Sequence, residues 1–387
     1  MNSLRLQKLT TIFDFAIVLM VCKVTFSLSS IIPYNETIDL FLSVLSAGLF
    51  AFCILIERYN AKILILYAVI SATVLYSVIK TGNYGFLITV IACFAVRTRN
   101  FDRMIKIIYQ YEFLFLILHT LASLVLAILG KIDLFMFNRG QLRATFGFDN
   151  PNTFSVFVFN LILMWVWLNF KKINIFRLLL IGCLGLSVVY MTKTRTMLID
   201  IIVLLLLCYL FRFRIFNHIT RFIAKICIPI LFVFVWTTVL LYQKGVSLAY
   251  IIDDILNARI KLGAFALNHF GVSILGQNLL NFQIEWDEKW GLNYFTFDCI
   301  YTYLMINQGY IWLIMLAVIF YKLAKLNLGK INIFLIVWAL YGVTEVHGLN
   351  GFLCMPVFLS VFIIKFVNDN IINEMEISHD QRNRSYL

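Results

Sequence analysis

Apolar residues dominate the chain in long runs from about residue 11 to residue 367, and short polar clusters interrupt them. Runs of this length without alternation mark membrane-spanning helices, whereas the strands of a membrane barrel alternate apolar and polar positions. The pattern predicts twelve spans, at about 11–30, 38–56, 63–79, 86–96, 107–129, 152–170, 176–191, 197–211, 226–242, 297–320, 331–343 and 351–367. The 86–96 and 331–343 runs are short, and flanking polar residues or a locally thinner bilayer must accommodate them. The first run is too long for a cleavable leader and lacks a small-x-small cleavage site, so it counts as a span. No fixed-period repeat is visible. The expectation is an all-α polytopic membrane protein, a single domain over residues 1–387 with one long outer loop over 243–296.

Composition strengthens this reading. Of 387 residues, 62% are hydrophobic and 13% charged, more apolar surface than a soluble domain of this size can hide. The formal charge of +12 would suggest nucleic acid in a soluble protein. Here it reflects the lysines and arginines that cytoplasmic loops collect, and no nucleic-acid module is present. With the N-terminus inside, every inner loop carries at least two cations, for example Arg58 and Lys62, Lys171 and Lys172, or Arg212 and Arg214. An even number of spans then places both termini in the cytoplasm. The eight cysteines lie mostly inside apolar runs, without CxxC or metal-type spacing, and read as small core residues.

Against that bias, several polar clusters fall outside. Lys193 and Arg195 sit in MTKTRTM, a turn of about five residues between two apolar runs. A cation buried at the bilayer centre costs roughly 2.5–3.5 kcal/mol, and less near the edge, so these two belong at the outer surface or in a cavity. Their simple reading is an interfacial anchor; their functional one is an anion site. A second cluster, KIDLFMFNRGQLRATFGFDNPN (131–152), carries Arg139 and Arg143. Asn150 and Pro151 fit a helix N-cap and first turn, which accounts for the FDNPN end but not for the arginines. In the long loop, Ile251, Ile255, Leu262 and Phe265 have helical spacing and predict one amphipathic helix on the outer leaflet, near Arg259, Lys261 and His269. Trp286, Trp290 and Tyr294 read as interface anchors ahead of stacking platforms for sugars, and TEVHGLN (344–350) adds Glu345 and His347. Guanidinium groups grip phosphate oxygens as planar two-pronged donors, so arginines from separate outer segments gathered over one cavity would suit a lipid-borne diphosphate.

The stretches RATFGFDNPNTFS, KTRTMLID, NARIKLGAFALNHFGVSILGQN, FDCIYTYLMINQG and TEVHGLN, with one long outer loop late in the chain, resemble the Wzy-type polysaccharide polymerases of the O-antigen polymerase and ligase superfamily. They are most similar to the capsule and exopolysaccharide members of Gram-positive bacteria. The resemblance implies transfer of a growing glycan from undecaprenyl diphosphate to the non-reducing end of a new lipid-linked repeat unit. That transfer would occur on the outer face of the bacterial cytoplasmic membrane, without metal or cofactor. It also implies a flippase and a chain-length regulator as partners. Arg143, Arg195 and Arg259 match the family's arginines, and Asp298 and Glu345 match acidic positions. Ligase relatives use an outer-loop histidine, for which neither His269 nor His347 sits in a clear ligase pattern.

Undecaprenyl diphosphate leaves as an anion, so a glycosidase-type pair of carboxylates is unnecessary. One base for the acceptor hydroxyl and cations for the developing charge suffice. The sequence therefore offers Arg143, Arg195, Arg259 and Lys193 for the diphosphate, and Glu345, His347 or Asp298 as base. Glu345 leads, because its turn holds no cation; Asp298 has a second reading as a helix cap. The adjacent pair Asp253 and Asp254 point in different directions on a helix and make a poor metal site. Two rivals stand. A flippase or other transporter would use intramembrane polar groups such as Lys23, Glu112, His119 and Asp200. A ligase-like transferase would differ only in acceptor.

Overall fold

The structure, a computed structural model of the chain, describes residues 3–57, 61–96, 101–138, 140–279, 282, 284, 287–292, 294–326 and 328–363. Helices α1 (Ser3–Ser27), α2 (Glu36–Leu55), α3 (Ala61–Thr81), α4 (Gly85–Val96) and α5 (Phe101–Ile128) lead to a hairpin of β1 (Phe135–Asn138) and β2 (Gln141–Ala144). Then follow α6 (Pro151–Asn169), α7 (Ile175–Thr192), α8 (Arg195–Leu210), α9 (Arg214–Gln243), α10 (Ser247–Ile255) and α11 (Arg259–Phe270). Helices α12 (Ile300–Tyr303), α13 (Tyr310–Lys325) and α14 (Gly329–Thr344) complete the set.

Among the described residues, eight helices are long and apolar enough to cross a membrane. They are α1, α2, α3, α5, α6, α7, α9 and the run Ile300–Lys325 that joins α12 to α13. Helices α4 and α14 are apolar but shorter, and α8 has 16 residues. The protein is therefore a helical membrane protein. Its outermost helices leave large apolar side chains bare, among them Leu55 (82% exposed), Ile79 (79%) and Ile128 (84%), as lipid-facing surfaces do.

Two helices form the centre. In α6 almost every residue from Ser155 to Met164 is buried, and α14 is buried from Ile331 to Ala339. Rings lock the two together: Trp167 meets Phe334 edge-on at 5.2 Å, and Phe159 stacks on Tyr341 at 5.4 Å. Without a hydrophobic drive between helices in lipid, such close packing and buried hydrogen bonds hold the bundle.

The expected span at 351–367 needs correction. Residues 351–353 form a turn, Met355–Ser360 is a 3-10 helix, and residues past 363 lie outside the described part. The cause is Asn160 in the middle of α6. Its Nδ2 donates to Phe352 O (3.1 Å), and its Oδ1 accepts from Met355 N (2.8 Å). Irregular backbone survives at membrane depth only when protein satisfies it, and Asn160 does so here. The single amphipathic helix expected over 251–265 is also two helices. Asn257 and Ala258, with φ of 59° and 69°, break the chain between α10 and α11. Ile251 and Ile255 stay exposed on α10, while Leu262 and Phe265 turn into the protein on α11. Trp290 lies parallel to Tyr242 and edge-on to Phe265, so it packs rather than anchors. Tyr294 is exposed, and Trp286 lies outside the described residues.

Candidate functional site

At the end of the bundle where α7 hands over to α8, the alternation in Thr192-Lys193-Thr194-Arg195-Thr196 sorts side chains by direction. The threonines are buried, at 0%, 6% and 6% exposure, and the two cations between them point out. Lys193 terminates α7 in the left-handed conformation, φ 54°, which sharpens the turn. Ser155 in α6 holds the inward face: its hydroxyl lies 2.8 Å from Thr192 Oγ1 and 3.0 Å from Thr194 Oγ1. The cations are thus set by a hydroxyl network below them, not by flexible loop backbone. Lys193 Nζ extends over the Tyr190 ring at 3.9 Å.

The β1–β2 hairpin brings in Arg143, which lies opposite Met136 in the ladder. Its Nε donates to Thr192 O (2.8 Å) and its Nη2 to Asn152 Oδ1 (2.7 Å), which fastens the hairpin to the C-terminus of α7 and the first turn of α6. Asn150 caps α6 through Asn152 N, and Pro151 occupies the first turn, as expected. The chain between hairpin and helix is held by Gly147, φ 78°, whose carbonyl accepts from Ser30 N and Oγ. A β-carbon there would collide with Ser123 Oγ, so only glycine fits. Arg139 lies outside the described residues.

The sharp bend at Asn257–Ala258 delivers Arg259 at the start of α11. Gln141, Arg143, Asn152, Lys193, Thr194, Arg195, Thr196, Asn257 and Arg259 line one recess of about 100 Å³. The four cations offered by the sequence, from three separate segments, therefore meet. They are not equivalent. Arg195 and Lys193 are exposed and make no ion pair among the described residues. Arg259 is 3% exposed and already committed: its Nε donates to Thr344 O (2.7 Å), Nη1 to Leu256 O (3.3 Å) and Nη2 to Glu345 Oε1 (3.1 Å). It lines the recess with the other cations and also holds Glu345.

The turn of Glu345 holds no cation of its own, and its partner, Arg259, is supplied from 86 residues away. It lies at the C-terminus of α14, 7% exposed. Burial pushes its carboxyl up to about 7; the Arg259 guanidinium pulls it down, and the charge on Asp298 adds to the rise. A carboxylate poised there can take or give a proton near neutrality. A narrow cleft of about 10 Å³, lined by Asn152, Thr194, Thr196, Tyr341 and Glu345 among others, lies at this carboxylate and shares Asn152, Thr194 and Thr196 with the cation recess.

The other two base candidates fall elsewhere. His347 lines a separate pocket, and burial pushes its imidazole below its ordinary range. Asp298 acts on Glu345 through charge but lines neither recess nor cleft, and Cys299 rather than Asp298 takes the cap position of α12. His269 bonds Phe265 O through Nδ1 (2.9 Å) and stands 3.8 Å from Asp287, away from the recess. Sequence reasoning missed Asn152, Tyr341 and Asp200 at the site; the threonine alternation of MTKTRTM was the readable signal. Asp200, 3% exposed on α8, feels the charges of Glu345 and Arg259, and its Oδ2 has no hydrogen-bond partner among the described residues. Other intramembrane polar groups have a partner on one atom, while Glu112 Oε1 and His119 Nδ1, like Asp200 Oδ2, have none among the described residues. Lys23 pairs with Asp39 at 3.0 Å, Glu112 accepts from Asn160 at 2.9 Å, and His119 meets Ser29 Oγ at 2.8 Å. No group of three metal-type side chains comes together among the described residues. No protein-family model, curated protein or solved structure matches the chain.

Proposed function

We propose that the protein is a membrane glycosyltransferase. It joins oligosaccharide repeat units carried on undecaprenyl diphosphate into capsular or exopolysaccharide chains, on the outer face of the bacterial cytoplasmic membrane. The carrying observation is the meeting of Arg143, Lys193, Arg195 and Arg259 in one recess that shares lining residues with a narrow cleft at Glu345. In this reading Arg195, Lys193 and Arg143 hold the donor diphosphate. The acceptor hydroxyl oxygen attacks C1 of the donor sugar and gives its proton to Glu345. The bond from C1 to the phosphate oxygen breaks, and its electron pair leaves with undecaprenyl diphosphate, whose charge the cations stabilise. Arg259 keeps a usable fraction of Glu345 ionised near pH 7. In this proposal the N-terminus lies in the cytoplasm, and a flippase and a chain-length regulator are partners.

Purified protein in lipid vesicles, given lipid-linked repeat units, tests it. Wild type should lengthen the glycan. Arg195→Ala should accumulate normally yet polymerise about a hundredfold more slowly, the usual cost of one preorganised donor. Full-length polymer from that variant would remove the proposal, and transbilayer movement without lengthening would favour a transporter. One feature speaks for the transporter, the interruption of the Ile300–Lys325 span by a π-helical segment, Leu304–Gly309. Yet its carbonyls are taken up by the chain's own loop, with Ser273 N on Met305 O (3.0 Å) and Gln277 N on Asn307 O (2.9 Å), rather than left facing a transport path.

A further inference from the structure

A second cavity, larger than the cation recess, lies apart from it. It is a pocket of about 430 Å³ between the α3–α4 turn, the loop before α12, the π-helical segment and the turn after α14. Its chemistry is distinctive. Among the described residues, no lysine, arginine, aspartate or glutamate lines it. Phe86, Phe282, Phe295 and Phe297 supply ring surface, and amides and hydroxyls stand between them. The rings brace one another edge-on, Phe295 against Phe297 at 4.8 Å and Phe297 against Tyr303 at 5.5 Å, so the wall is preformed.

Tyr303 is the most telling group. Its hydroxyl oxygen accepts from Asn83 Nδ2 (3.0 Å) and from Gln308 Nε2 (2.8 Å). A phenol has two acceptor positions and one proton. Both acceptor positions are filled, and among the described residues the proton has no acceptor. It is left to donate into the pocket that Tyr303 lines. The imidazole of His347 also faces this space without a hydrogen-bond partner among the described residues.

An anion would find no lysine or arginine among the described lining residues, and a lipid tail would strip water from amides and hydroxyls without replacing it. An uncharged sugar satisfies both kinds of surface: the negative ring faces meet its C–H edges, and the polar groups meet its hydroxyls. Position selects which sugar. Glu345 lines the narrow cleft beside the cation recess, while the next two residues, Val346 and His347, line this pocket. A sugar seated here would lie against the turn that follows Glu345. We infer that this aromatic and amide pocket binds the non-reducing terminal sugar of the acceptor repeat unit, an uncharged pyranose whose hydroxyl attacks the donor. The inference rests on the glycosyltransferase reading.

The test uses the full chain in nanodiscs with two probes, the phosphate-free repeat-unit oligosaccharide released from its lipid carrier, and inorganic diphosphate. Tyr303→Phe removes one hydroxyl, and Phe297→Leu removes one ring. Each should weaken oligosaccharide binding about tenfold, the effect of losing one hydrogen bond or stacking contact, and leave diphosphate binding unchanged. Arg195→Ala should do the reverse. Retained diphosphate binding reports an intact fold. Independently of those variants, a Thr296→Cys chain labelled with maleimide should be shielded by the oligosaccharide and not by diphosphate. Wild-type oligosaccharide affinity in both ring variants, or no shielding at position 296, would overturn the inference while leaving the polymerase reading to stand on Arg195→Ala. If wild type binds neither probe, both fall together.

Discussion

The pair formed by Arg259 and Glu345 concentrates the consequences of single residues. Both side chains are almost wholly buried. Removing one partner of such a pair strands the other charge and typically costs about 3–5 kcal/mol. Arg259→Ala should therefore lower the thermal midpoint in detergent well beyond the change for exposed Arg195→Ala. The pair also sets a pH profile. Glu345 serves as base only when ionised, so the polymerisation rate should climb as pH rises through about 7. The Arg259 charge favours the ionised form; Arg259→Gln should move the climb to higher pH. The Asp298 charge opposes it, and Asp298→Asn should move the climb to lower pH. Initial rates across pH 5.5 to about 8.5 would read both signs, and a profile unmoved by either change would remove Glu345 as the base. None of this pairing was visible in the sequence, because the two residues come together only when α11 crosses the end of α14.

Elements were legible where composition alone decides them. Runs of about twenty apolar residues became α1 to α3, α5 to α7 and α9, and the Asn150–Pro151 cap stands where expected. Composition failed where the chain is apolar but irregular. Residues 351–360 read as a span because buried turns and buried helices use the same side chains; only the distant Asn160 reveals the difference. The bend at Asn257–Ala258 was likewise hidden, since neither residue demands positive φ. The π-helical segment shows how an element depends on its partner. Gly309 has φ 102°, and a β-carbon there would overlap Ile274 O in the loop that caps the segment. Gly309→Ala should cost about 1–3 kcal/mol of strain and loosen that loop. Faster proteolysis within residues 271–279, with slower polymerisation, would show it; unchanged rates of both would mean the loop tolerates the displacement.

Across the whole molecule, the lipid-facing helices surround α6 and α14, and the polar clusters gather at the end where α7 meets α8. The proposed orientation puts that end outside and the basic clusters at Lys171–Lys172 and Arg212 inside. On a cysteine-free background, Lys193→Cys should react with a membrane-impermeant maleimide in intact cells, and Arg212→Cys only after permeabilisation. The reverse would invert the topology and end the outer-face reading. The sequence located the cations but not the aromatic pocket, whose rings come from four places with no common period. The exposed Lys193 and Arg195 have a last consequence. No carboxylate among the described residues neutralises them, so at rest the recess will recruit mobile counter-ions from the medium. Polyvalent anions such as sulfate should then compete with substrate more strongly than chloride at equal ionic strength. Turnover should fall as salt rises and shortens the roughly 10 Å screening distance of dilute buffer.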